Sequence, residues 1–231
     1  VETIYDVAVV GSGIVGAAVA RELGRFHVRA CVLDGAADVG EGTSKANSGI
    51  IHTGFDAVPG SLEASLLSQA RSLWDEILSQ EPIPSIATGA LMLALDEHEE
   101  QRLGDIRDVA LQNGVKVDLL AGHEARDMVP VLSRDVRRAL RIPTERVVDP
   151  FRAVRTFAES AAAAGVEIRL NAAVEAMAAT GREIVLETAD GAVVRARFVV
   201  NAAGLWADRV ASLAGDSELR ITPRKGEFLV S

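Results

Sequence analysis

Residues 40–55, GEGTSKANSGIIHTGF, crowd hydroxyls, an amide, a cation and an imidazole into one short stretch. Thr43, Ser44, Lys45, Asn47 and Ser48 carry hydrogen-bonding groups suited to a phosphorylated, hydroxyl-rich ligand. Gly49-Ile50-Ile51 then offers backbone that can pass a flat ring without side-chain obstruction. His52 comes next, and an imidazole near neutrality can take a hydroxyl proton while a hydride leaves the adjacent carbon. A solvated loop, or a histidine that only packs, explains any one of these residues taken singly. Upstream, Gly11-Ser12-Gly13-Ile14-Val15-Gly16 matches G-x-G-x-x-G. In such a bend the first glycine permits the tight turn, the second lets a pyrophosphate approach the backbone, and the third lets helix and strand pack closely. Asp34 lies eighteen residues beyond Gly16, where a carboxylate can accept hydrogen bonds from a ribose diol.

These residues need a scaffold, and the flanking pattern supplies one. Val7 to Val10 form a continuous apolar run, as for a parallel strand covered on both faces; a small-residue helix runs to Leu23, and Val28 to Leu33 return to strand composition. This is a βαβ unit whose helix N-terminus offers unpaired N–H groups and a positive dipole end to phosphates. Leu62, Leu66, Ala70, Leu73 and Ile77 predict a helix with one buried face after Pro59-Gly60. TGALMLALD reads as a strand, and Asp96 with Glu99 opens a helix that carries Leu103, Ile106 and Ala110 and ends at Asn113-Gly114. Residues 115–148 read as short strands and turns. Asp149-Pro150 starts a further helix lined by Val154, Phe157 and Ala161 and stopped by Gly165. VEIRL alternates, Asp190-Gly191 joins two strands in a hairpin, and RFVVNAAG reads as a buried strand before a short helix from Leu205 to Ala214.

Composition narrows the function classes. The chain has 231 residues, is 48% hydrophobic and carries a formal charge of −9, so it folds around a core and lacks the basic stripe that nucleic acid requires. The single cysteine, Cys31, lies in an apolar run, which fits a core position and a reducing, cytoplasmic compartment. The stretch from Val7 to Ala20 is too short to span a membrane. The chain lacks an initiator methionine, and its last residues, ITPRKGEFLVS, read as a strand that stops abruptly, so a C-terminally truncated fragment is expected.

The polar loop also chooses between dinucleotides. A nicotinamide-dependent dehydrogenase of simple Rossmann type continues with alternating strands and helices, whereas this chain continues with groups suited to the pyrophosphate and ribityl chain of FAD. Four segments, DVAVVGSGIVGAAVARELGRF, GEGTSKANSGIIHTGFDAVPGSLEA, VVDPFRAV and RFVVNAAGLWADRVASLAG, resemble the D-amino-acid-oxidase-type FAD flavoproteins. Within them the similarity is to the branch of glycerol-3-phosphate dehydrogenases and L-2-hydroxyglutarate dehydrogenases or oxidases. It spans nearly the whole chain, and TSKANSGIIH and NAAGLWADR are specific to that branch. The resemblance implies FAD held by the glycine bend, Asp34 and the Thr/Ser loop, by Val174 at the adenine edge, and by a second turn at Ala202, Ala203 and Gly204.

The expected fold is therefore α/β: an FAD-binding Rossmann-like domain over residues 1–80 and 146–220, with an inserted α+β substrate lobe over 81–145 that 221–231 re-enters. The expected reaction is FAD-dependent oxidation of a small anionic hydroxylated metabolite, glycerol 3-phosphate or a 2-hydroxy acid such as L-2-hydroxyglutarate. His52 is the expected proton acceptor, and Arg224 and Lys225 are the candidates for the substrate anion. An amine or amino-acid oxidase on the same fold, with His52 in some relatives a covalent flavin attachment point, stays open, as does a catalytically incomplete FAD-binding fragment. His27, His98 and His123 read as surface residues, Trp74 and Trp206 as helix packing, and no residue is assigned to a metal. The electron acceptor is open between a quinone, an iron–sulfur partner and oxygen. No transmembrane segment is expected, and peripheral membrane contact is left open for the full-length protein.

Overall fold

A computed structural model describes residues 3–227. It separates into two compact units, residues 1–47 with 150–231, and residues 48–149. The first is built on strands β1 (Ile4–Val10) and β2 (Ala30–Leu33), with helix α1 (Ile14–Leu23) between them. The second holds β3 (Ile50–Ile51), α2 (Leu62–Gln80), β4 (Ser85–Ile86), β5 (Ala90–Ala94), α3 (Glu97–Gln112), β6 (Asp118–Ala121), α4 (Gly122–Met128), β7 (Arg138–Ile142) and β8 (Arg146–Val148). The chain then returns to the first unit with α5 (Pro150–Ala163), β9 (Glu167–Arg169), β10 (Val174–Thr180), β11 (Glu183–Thr188), β12 (Val193–Asn201) and α6 (Ala207–Leu213).

In the first unit six strands form one sheet in the order β10-β11-β12-β1-β2-β9. β12, β1, β2 and β9 run parallel, and β11 pairs antiparallel with both β10 and β12. The period of two in β2 explains its fully apolar sequence. Ala30 and Val32 pack on one face with Val9 of β1, Ala20 of α1 and Ala161 of α5; Cys31 and Leu33 pack on the other with Tyr5, Leu186 and Val210. Asp190-Gly191 makes the expected hairpin turn, with Gly191 at φ +81°. RFVVNAAG is not a separate strand. β12 is one continuous element, pairing antiparallel with β11 through Val193–Ala196 and parallel with β1 through Arg195–Asn201.

In the second unit β5, β7 and β6 form an antiparallel sheet covered by α3, with Leu103, Ala110, Leu140 and Ile142 at its centre. Asp96 caps α3 by accepting the Glu99 N–H at 2.8 Å. A second small sheet runs β3-β8-β4. Residues 48–80 pack with 81–149, where the sequence reading grouped them with the first unit, because β3 finds its strand partner in β8 and Leu67 of α2 closes over Gly54. Helix α4 interrupts the stretch read as strands and turns.

The expected buried face of α2 is only partly the one observed. Leu62, Leu66 and Leu73 are exposed, and no residue of the helix is fully buried. The partly buried positions are Ala64, Leu67, Ala70, Arg71, Trp74, Ile77 and Leu78, so Ala70 and Ile77 of the expected face are half-buried and the others form a second stripe at helical spacing. The carboxyl end also departs from expectation: residues 221–227 form neither strand nor helix, and 228–231 lie outside the described residues. Among the described residues no helix is long and apolar enough to cross a membrane.

Cys31 is fully buried, and burial pushes its thiol up to about 12. Iodoacetamide at mildly alkaline pH should therefore modify the folded chain at least about a hundredfold more slowly than free cysteine and should modify the unfolded chain freely. Mass spectrometry of tryptic peptides checks this, and rapid labelling of Cys31 under native conditions would contradict its placement in the core.

Candidate functional site

At the carboxyl end of β1 the three glycines have different physical jobs. Gly11 sits at φ +105°, and a Cβ there would lie 2.4 Å from the Ala202 carbonyl oxygen. A Cβ on Gly16 would lie 1.8 Å from the Gly11 carbonyl oxygen, so α1 starts in direct contact with the end of the strand. Gly13 differs: its added Cβ would meet only the Ser44 hydroxyl, at 3.0 Å. Gly11 and Gly16 thus serve backbone packing, while Gly13 leaves a gap on the side of a cleft of about 640 Å³.

The cleft is assembled from segments far apart in the chain. Gly11, Gly13, Ile14 and Val15 line it from the bend, Asp34 from the end of β2, and Thr43 and Ser44 from the polar loop. Val174, Ala202, Ala203 and Gly204 line it as well. The loop is folded onto the bend: Ser44 Oγ accepts the Ile14 N–H at 2.9 Å, the capping bond that Gly13 has no side chain to make, and the Gly40 N–H donates to the Ser12 carbonyl at 3.1 Å. Asp34 is held by the chain itself. Its Oδ2 accepts from the Ser12 N–H at 2.6 Å and the Ser12 hydroxyl at 2.7 Å, and its Oδ1 accepts from the Ala36 N–H at 2.8 Å. A carboxylate has about four acceptor positions, so room is left on Oδ1 for a ribose hydroxyl.

Several expected contacts stand elsewhere. Ser12 is buried and does not line the cleft; its hydroxyl orients Asp34. Gly16 and Asn47 are also absent from the lining, and Lys45 pairs with Glu41 at 2.5 Å. Conversely, Glu41, Trp206 and Arg209 line the cleft without having been picked out from the sequence. Trp206, expected to pack in a helix, is 57% exposed because it ends a single 3-10 turn before α6. The sequence signals for it were its place two residues after the Ala-Ala-Gly turn and within the NAAGLWADR segment.

Ser48, Gly49, Ile51 and His52 belong to the second unit. Ile50 and Ile51 pair with Val147 and Arg146 of β8, and Gly49 accepts the Val148 N–H at 2.9 Å. The His52 side chain is 56% exposed, with Nδ1 3.8 Å from Oε2 of Glu145. Glu145 is 3% exposed, and its Oε1 accepts from the Thr53 N–H at 2.8 Å and the Thr53 hydroxyl at 2.9 Å. Sequence reasoning missed Glu145, which lies in an unremarkable turn and acquires its role only by pairing across the strands. Arg224 and Lys225 are exposed in the irregular segment after α6, with Lys225 Nζ 2.6 Å from Glu227. His27, His98 and His123 are exposed.

The family model of the DAO class, described as FAD dependent oxidoreductase, matches residues 6–231. The chain belongs to this family of FAD-dependent oxidoreductases. A glycerol 3-phosphate dehydrogenase of Caloramator mitchellensis is 32% identical over 227 residues, 97% of this chain and 47% of that protein. The human mitochondrial L-2-hydroxyglutarate dehydrogenase is 30% identical over 240 residues, covering 98% of this chain and 52% of the relative. Among solved structures, the dithionite-reduced L-alpha-glycerophosphate oxidase of Mycoplasma pneumoniae with FAD bound superposes with a TM-score of 0.88 at 25% identity, over 91% of this chain and 57% of the other. The chain thus spans about half the length of the curated relatives it matches.

The cofactor of this family is FAD, and the cleft fits a dinucleotide: a bend without a side chain at Gly13, a helix N-terminus, and a carboxylate held in place by three hydrogen bonds. Gly13→Val should keep the fold, since Gly13 has φ −67° and its nearest neighbour is a hydroxyl, yet should fill the approach of the pyrophosphate. FAD affinity is expected to fall at least about tenfold, or about 1.4 kcal/mol, with the circular dichroism of the apo chain unchanged. Fluorescence titration with FAD measures it, and undiminished binding would remove Gly13 from the site.

Proposed function

We propose that this chain is the FAD-binding and proton-accepting part of an oxidoreductase for a small anionic hydroxylated metabolite, of the type of glycerol 3-phosphate or a 2-hydroxy acid. The observation that carries this reading is the 32% identity to a glycerol 3-phosphate dehydrogenase across 97% of the chain. The cleft beside the glycine bend is where FAD is held in this reading: the α1 N-terminus with Thr43 and Ser44 at the diphosphate, Asp34 at the ribose, Val174 at the adenine edge, and Ala202 to Gly204 at the second turn. Ser48, Gly49 and Ile51 keep their proposed place toward the flavin, whereas Lys45 and Asn47, expected at its polar tail, do not line the cleft. Bound FAD supplies the hydride acceptor, which the side chains of this chain do not.

His52 is the proposed acceptor of the substrate hydroxyl proton. Its side chain is more than half exposed, as a group that meets a diffusing substrate must be, and a carboxylate lies beside its Nδ1. Arg224 and Lys225 are the proposed partners of the substrate phosphate or carboxylate. Both are exposed, and the Lys225–Glu227 pair is open to solvent, so exchanging Glu227 for a substrate anion costs little. Residence in the cytoplasm belongs to the same proposal and rests on the free thiol of Cys31.

Anaerobic reduction of the FAD-loaded protein tests the reading. Glycerol 3-phosphate or a 2-hydroxy acid is expected to bleach the flavin at least about tenfold faster than N-methyl amino acids or glycine, and His52→Asn to slow that reduction by about a hundredfold or more. Faster bleaching by an amine would transfer the activity to amine oxidation. Retention of FAD with no bleaching by any of these compounds would leave a cofactor-binding module.

A further inference from the structure

We propose that Glu145 is a positioning residue for His52: its buried carboxylate holds the His52–Thr53 backbone through Oε1 and, through Oε2, selects the imidazole tautomer protonated on Nδ1, leaving Nε2 as the accepting nitrogen. This inference rests on the reading of His52 as a proton acceptor and specifies which of its nitrogens does the work.

The register puts the two residues together. β3 and β8 are antiparallel with Ile51 opposite Arg146, so His52 and Glu145 are the next pair along and stand across from one another where the ladder ends. Glu145 is fixed from both sides, by the two Thr53 bonds to its carboxylate and by the Gly89 N–H, which donates to its carbonyl at 2.9 Å. Among the described residues it is the one buried carboxylate.

Holding Thr53 does not by itself require a charge. A glutamine carbonyl could accept both Thr53 bonds without the penalty of burying an anion. The charge needs a proton donor at its second oxygen, and Oε2 faces His52 Nδ1 at 3.8 Å. Arg146, the adjacent cation, is directed to Asp75 of α2 at 3.3 Å. The distance to His52 exceeds a hydrogen bond but lies within ion-pair reach, and the imidazole is exposed enough for a small rotation to close it. Which imidazole nitrogen carries the proton is set by the partner of the other, and a carboxylate at Nδ1 sets it there. A base oriented by a third, buried group is the arrangement that activated nucleophiles and general bases share.

Long-range proton–nitrogen correlation spectra of the nitrogen-15-labelled chain, at a pH where the ring is neutral and with His52→Asn to assign the signal, read the tautomer directly. The expected result is a protonated Nδ1 and an unprotonated Nε2 for His52, a shift of the population toward Nε2–H in Glu145→Gln, and no shift in Thr53→Val, which removes one Oε1 bond and leaves Oε2 in place. A wild-type His52 protonated on Nε2 overturns the inference even if Glu145→Gln fails to fold, and an equal tautomer change in Thr53→Val reduces Glu145 to a loop anchor. In the FAD-loaded protein, Glu145→Gln should slow flavin reduction at saturating substrate by at least about tenfold with KM little changed. An unchanged rate overturns the inference. Failure of the proton-acceptor reading itself is seen separately, as a His52→Asn protein that reduces its flavin at the wild-type rate.

Discussion

The first unit depends on backbone lying against backbone at the glycine bend. The Gly11 carbonyl occupies the space where a Gly16 side chain would begin, and the Ala202 carbonyl occupies the space of a Gly11 side chain. These contacts bring α1 onto the end of β1 and β12 alongside it, while the Gly11 N–H donates to the Leu33 carbonyl and the Ala202 N–H to the Val10 carbonyl, each at 2.8 Å. Three parallel strands therefore end at one level, and a helix begins there with Ile14 and Val15 lining the cleft. The ligand site is a consequence of that packing: the close approach that a Cβ would forbid is also what leaves a groove beside Gly13.

Around this bend the polar groups serve the protein before they serve a ligand. Ser44 supplies the cap that glycine cannot, and Ser12 spends its N–H and hydroxyl on Asp34. A carboxylate that accepts several hydrogen bonds is held in orientation, so Asp34 is presented to the cleft in a single pose. The second unit uses the same device with different parts. Glu145 anchors the turn after β3 through Thr53 and turns its remaining oxygen to His52. In each case a short loop of small residues, which would otherwise lose its order to chain entropy, is tied down by one carboxylate.

Secondary structure was legible wherever local chemistry dictates it. The cap at Asp96, the Asp190-Gly191 turn and the start of α5 at Pro150 follow from side chains acting on their own backbone. Legibility failed where two answers were locally equivalent. In α2 one apolar stripe runs through Leu62, Leu66, Ala70, Leu73 and Ile77 and another through Leu67, Trp74 and Leu78; periodicity alone assigns neither to the interior, and the helix half-buries the second together with Ala70 and Ile77 of the first. The turn at Gly54, which leaves space for Leu67, makes the choice. The boundary of the first unit was misplaced for a related reason: the two residues of β3 carry too little pattern to announce a strand, and their partner β8 lies far along the chain.

By itself the sequence determined the βαβ unit, the glycine bend, the family and its FAD, because these rest on residues that act through neighbours in the chain or on long matched segments. The tertiary structure decided which of the matched residues face the cleft and which support it. It gave Ser12 to Asp34 and Lys45 to Glu41, brought Trp206 to the cleft wall, and set Glu145 opposite His52. The reason is geometric. Side-chain type limits what a residue can bond, but only strand register and loop closure, which join positions distant in sequence, decide what stands within reach.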